Sequence, residues 1–202
     1  MNKLASIPFL ALCLSLNVQA QLELGPLKPL IGSWKSAPTG GFDMAPGQEG
    51  SKAGKGGPAV EAYFETITFE VAADATNASD QYLTAVYYKQ EVFKKSTGNK
   101  FHDQRGYFIY DAKNKTVYNS FCVPRATCVV AEGKAGSKMT LTAPAKGVAE
   151  SSYMTKNAKT VGFTMNIEIS DNKLSYSQVT NLEIYGKPFG HTDSGTLVKV
   201  EK

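Results

Sequence analysis

From Glu61 onward the chain alternates apolar and polar residues in runs separated by short turn segments, the period-2 signature of half-buried strands. Glu61–Val71 (EAYFETITFEV) and Tyr82–Phe93 (YLTAVYYKQEVF) carry the aromatic and β-branched residues that suit a pleated surface. Ser96-Thr97-Gly98-Asn99 turns the second run into Phe101–Tyr110, and Asp111-Ala112-Lys113-Asn114 turns that one into Thr116–Val123. Thr127–Glu132, Lys138–Ala143, Val148–Thr155, Val161–Ser170, Lys173–Ile184 and Thr192–Val200 follow, with Ser170-Asp171-Asn172-Lys173 as a tight hairpin. Adding Ser33–Ser36 gives about ten or eleven strands joined by short links, so neighbours pair antiparallel. Closure removes the edges such a meander would expose. The pattern therefore predicts an all-β, up-and-down antiparallel barrel, with a two-sheet sandwich as the alternative.

Two segments break the alternation. Leu27, Leu30 and Ile31 stand at i, i+3 and i+4, which predicts a short helical turn stopped at Gly32. Gly32-Ser33-Trp34 follows, with the only tryptophan, so this segment reads as a helical plug at one barrel end. Lys199 of the last strand is the candidate cation over the Trp34 ring. Pro38–Pro58 holds seven glycines in 21 residues and reads as a long irregular loop inserted over one end. It is no phosphate loop, because Gly56 follows Gly54-Lys55 where Ser or Thr is required.

Residues 1–20 have the order of a secretory signal: Lys3, a mostly apolar Leu4–Leu16, then the small-residue site Val18-Gln19-Ala20. The sequence thus predicts export, to the periplasm in a Gram-negative source and otherwise to the medium, with a single domain over 21–202. Loss of Lys3 leaves 21 basic residues against 18 acidic ones, a net +3. No basic block accompanies that weak balance, which argues against nucleic acid as a partner. No later run approaches the roughly 20 apolar residues of a membrane helix. Beyond the leader, Cys122 and Cys128 stand in FCVPRATC. In an oxidising compartment they read as a disulfide, whose loop closure stabilises by roughly 2 kcal/mol; two thiols buried on separate faces is the other reading.

Catalytic vocabulary is thin. His191-Thr192-Asp193-Ser194 resembles a triad in composition only, since neighbours on a strand alternate faces. Glu61, Glu65 and Glu70 read as solvated charges along one strand. The two histidines, His191 and His102, are the functional leads. Gly186-Lys187-Pro188-Phe189-Gly190 reads as a turn, with His191 just after it and able to point into a barrel mouth. One neutral imidazole suffices for haem iron, where zinc needs three or four protein ligands.

These features together resemble the nitrobindin-like haem-binding β-barrels. The resemblance runs from about Leu24 to Lys199 and rests on three stretches: Leu24-Gly25-Pro26-Leu27 through Gly32-Ser33-Trp34, His102–Tyr107, and Gly186–Lys199. Gln104 stands where the family tends to have Glu, and Lys199 where it has Arg. The resemblance implies ferric haem b held by His191, with His102 as a possible pocket residue. It further implies binding of nitric oxide and isomerisation of peroxynitrite to nitrate. The competing expectation is a haem-free carrier of a small apolar ligand, because Gly-x-Trp after a short helix also opens lipocalin-type barrels.

Overall fold

The computed structural model describes residues 22–201, so the leader and the export reading lie outside the described residues. Twelve strands form one antiparallel sheet: β1 (Gly32–Ser36), β2 (Gly41–Pro46), β3 (Pro58–Asn77), β4 (Gln81–Lys94), β5 (Lys100–Asp111), β6 (Thr116–Val123), β7 (Thr127–Lys134), β8 (Lys138–Thr142), β9 (Val148–Glu150), β10 (Ala158–Ile169), β11 (Lys173–Ile184) and β12 (Lys187–Lys199). The sheet closes on itself because β1 and β2 each pair with both β3 and β12. β1 meets Thr66–Phe69 of β3 while β2 meets Pro58–Tyr63, so the two follow one another along a single stave. β8 and β9 likewise share the place beside β7. Twelve strands therefore fill ten staves, in keeping with the barrel of about ten strands that the alternation implies.

Side-chain alternation decides what the barrel holds. On β4, Thr84, Val86, Tyr88, Gln90 and Val92 are buried while the residues between them are not. On β10 the buried set includes Phe163, Met165, Ile167 and Ile169. One end of the interior is packed solid by Leu27, Leu30, Trp34, Phe69, Leu174 and Leu197. Trp34 is 1% exposed, its indole Nε1 donates to the Leu30 carbonyl at 2.6 Å, and Lys199 Nζ lies 5.3 Å from the ring centroid. The same ammonium donates to the Pro29 carbonyl at 2.8 Å. Gly32 turns the chain into β1 at φ +123°, a conformation L side chains rarely adopt.

Four local readings change. The plug is a 3-10 helix, Gly25–Leu30, so the buried leucines are Leu24, Leu27 and Leu30 at period three, and Ile31 is only half-buried. Gly41–Pro46, inside the glycine-rich stretch, is strand β2 and buries Asp43. Val148–Thr155 divides after Glu150: the Ser151 hydroxyl accepts from the Met154 backbone N–H at 3.3 Å and starts helix α1, Ser152–Asn157. The last hairpin turns at Tyr185-Gly186, both left-handed, so Lys187–Gly190 belongs to β12. Pro188 is tolerated there because β12 has only β11 beside it until Thr192.

Cys122 and Cys128 face one another across β6 and β7 and form a disulfide, which removes the two-thiol alternative. Among the described residues no helix is long and apolar enough to cross a membrane.

Candidate functional site

The end of the barrel away from the plug encloses a cavity of about 490 Å³, within the range of small-molecule and cofactor sites. Val92, Phe101, Phe121, Val129, Phe163 and Leu182 supply apolar side walls, and His191 and His102 both line it. A broader depression of about 780 Å³ lies on the outer wall among Phe42, Ser175, Ser177, Ser194 and Thr196, and no histidine lines it. The enclosed cavity is the better site, since it combines apolar walls with convergent polar groups.

Register assembles the polar groups. Across three strands Gln178 of β11 stands opposite Asp193 of β12, which stands opposite Asp43 of β2. His191 lies two residues before Asp193 and so shares its face. Its Nε2 is 2.6 Å from Asp43 Oδ1 and 3.6 Å from Asp193 Oδ2, and Gln178 Nε2 donates to Asp193 at 3.2 Å. Two carboxylates facing each other repel, and the imidazole between them relieves this. Burial pushes the Asp43 carboxyl up, but the hydrogen bond and charge of His191 outweigh it and hold the group below the usual carboxylate range. Burial, with Asp43 beside it, pushes Asp193 up to about 6. For His191 burial acts downward and the two carboxylates prevail, so the imidazole holds its proton more tightly than usual. Burial and the neighbouring charges of His191 and Arg125 push His102 the other way.

With Nε2 committed to Asp43, Nδ1 is the nitrogen His191 can offer a metal. That is the carboxylate–histidine–metal arrangement, in which the carboxylate fixes tautomer and ring orientation. One so-held imidazole beside apolar walls fits haem, which needs a single protein ligand. Asp43, His191 and Asp193 could also each give one atom to a divalent ion, all three lying within 4.8 Å of one another. Three donors also match an open zinc site, so it is the apolar walls around them, large enough to cover a macrocycle, that favour haem. Asp43→Asn is expected to weaken haem binding about 10–100-fold, the usual cost of losing such a partner, read by haemin titration. Unchanged affinity would remove Asp43 from the site.

The cavity floor is polar. Tyr63 Oη lies 2.7 Å from Tyr176 Oη and donates to the Ser194 carbonyl at 3.0 Å; Tyr176 Oη is 3.1 Å from both oxygens of Glu65, and Gln90 Nε2 donates to Glu65 at 2.6 Å. Tyr176 has one proton for two contacts. If Glu65 is ionised, Tyr176 donates to it and the link to Tyr63 lacks a proton unless Tyr63 releases Ser194. A protonated Glu65 supplies the missing proton and satisfies every contact. Burial agrees: Glu65 is 1% exposed and its carboxyl is pushed up to about 7. The sequence reading of Glu65 as a solvated charge is thus overturned, while Glu70 is exposed as expected.

A pH dependence follows. An unfolded carboxyl titrates near 4.5 and the folded Glu65 near 7, so the folded state holds the extra proton between these values. Stability falls as pH rises through that window, by about 3 kcal/mol for this group, and Asp193 acts in the same sense. Glu65→Gln keeps the protonated pattern of donors and acceptors. It should match wild type at pH 4.5 and exceed it by up to about 3 kcal/mol at pH 8 in urea denaturation. A variant destabilised equally at both pH values would show that Glu65 is ionised in the fold.

Fold and site together define a closed β-barrel with an internal small-molecule cavity carrying a carboxylate-held imidazole. The chain belongs to the nitrobindin family of haem-binding β-barrels: the description "THAP4-like, heme-binding beta-barrel domain" matches residues 23–199. The crystal structure of Rv2717c from M. tuberculosis is similar in fold, at 15% identity and a TM-score of 0.59 over 87% of this chain and 98% of that one. No curated protein matches the chain.

Proposed function

We propose that this chain is an exported protein that holds ferric haem b in its cavity with His191 as the protein ligand of the iron. The carrying observation is that His191 lines an enclosed, apolar-walled cavity with its Nε2 held by Asp43, which leaves Nδ1 as its remaining ring nitrogen. In this reading Asp43 orients the imidazole, the aromatic walls cover the macrocycle and exclude water, and His102 influences access of small ligands. Bound haem would supply the ferric centre that takes up nitric oxide and converts peroxynitrite to nitrate. The leader pattern of residues 1–20 and the Cys122–Cys128 disulfide both favour an oxidising compartment outside the cytosol.

The test is a haemin titration of the purified mature chain, followed by stopped-flow peroxynitrite decay. A saturable Soret shift at one haem per chain and faster nitrate formation are expected. Failure to bind haemin would favour the second reading, haem-free carriage of an apolar ligand, for which Phe101, Phe121 and Phe163 already provide a wall. Mass spectrometry of an organic extract of the native protein would then show that ligand.

A further inference from the structure

The sequence has two arginines, and they are used differently. Arg105 is taken up on the barrel's outer wall by Asp103, at 2.8 Å, and by Glu91. Arg125 lines the cavity mouth with both histidines and makes no ion pair or side-chain hydrogen bond among the described residues. Lys94 also lines the cavity, but Glu61 lies 3.5 Å from its ammonium, which is also 5.6 Å from the centroid of the Phe101 ring. Arg125 is thus the uncommitted cation of the rim.

The backbone under it is braced. Pro124-Arg125-Ala126 joins β6 to β7, with Ala126 left-handed at φ 57°, the form of a three-residue hairpin loop. The Cys122–Cys128 bond closes the hairpin directly below. The Ala126 carbonyl accepts from the Ser151 backbone N–H at 3.0 Å, which ties the loop to the start of α1, whose Met154 also lines the cavity. The loop is fixed while the guanidinium stays exposed.

We propose that Arg125 is the anion subsite of the cavity and takes a carboxylate of the bound ligand, a haem propionate, at the rim. The guanidinium fork matches a carboxylate in two parallel hydrogen bonds, which no lysine reproduces. Asp43 and Asp193 lie among the other lining residues and repel an anionic end. The ligand therefore enters with its apolar body first and its carboxylates at the rim. The inference rests on the haem reading and adds the orientation of the ligand to it.

The test compares haemin with its dimethyl ester on wild type, Arg125→Ala and Arg125→Lys, with thermal melting of the haem-free proteins as a control for folding. Wild type should bind haemin roughly 10-fold more tightly than the ester, the scale of one charge-assisted contact. Arg125→Ala should bind both alike at the ester's affinity, with an unchanged melt, and Arg125→Lys should recover only part of the preference. If Arg125→Ala keeps the full preference, or wild type shows none, the subsite is not Arg125. If neither porphyrin binds wild type, the haem reading itself fails and the propionate contact falls with it.

Discussion

Trp34→Ala is expected to cost about 3–5 kcal/mol of stability, the usual loss for a fully buried large aromatic. Three losses add at one place. The indole fills the plug end among Leu27, Leu30 and Leu197, so truncation leaves a void that the closed sheet cannot collapse. The Leu30 carbonyl loses the donor that ends the 3-10 helix at 2.6 Å. Lys199 loses the ring face beneath its ammonium and keeps only the Pro29 carbonyl. Urea denaturation of haem-free wild type and variant measures the effect, because bound ligand would mask it by mass action. A loss under about 1 kcal/mol would mean that the plug does not depend on the ring.

His191→Ala carries the largest functional effect. Removing the sole imidazole held by a carboxylate should weaken haem binding more than about 100-fold, beyond the cost of losing only its partner. His102→Ala should leave affinity nearly intact and alter at most the rate at which small ligands enter. The two histidines differ in surroundings: a carboxylate holds His191 on its strand, while burial keeps His102 neutral. His191→Ala also leaves Asp43 and Asp193 facing each other without a cation. Its haem-free form should therefore lose more of its melting temperature between pH 5 and pH 8 than wild type does, which melting curves of both proteins at each pH check.

The barrel was legible because period-2 alternation on β4 or β10 depends only on neighbours in sequence. Trp34 under Lys199 was legible too, since closure must bring the last strand beside the first. The misread segments are those where a few residues carry the decision. Ser151 caps a helix inside what alternates like a strand, and Tyr185-Gly186 takes the turn that composition assigns to Gly186–Gly190. Within the site, Asp193 had a signal, since a residue two places along a strand shares the face of His191. Asp43 had none. It lies 148 residues from His191 and sits in a glycine-rich stretch, so only barrel closure brings the two together. Glu65 was hidden for the opposite reason: its strand is half exposed, and only Tyr176, Tyr63 and Gln90 arriving from other strands show that its side is the inner one.

The most direct test of His191 as the iron's ligand is chemical rescue of His191→Gly. Haemin would be titrated into the variant with and without free imidazole while the Soret and charge-transfer bands are recorded beside those of wild type. With His191 as the iron's ligand, the variant alone should show no protein-bound haem spectrum, and added imidazole should restore the wild-type bands. A variant that binds haemin with the wild-type spectrum in the absence of imidazole would contradict that assignment.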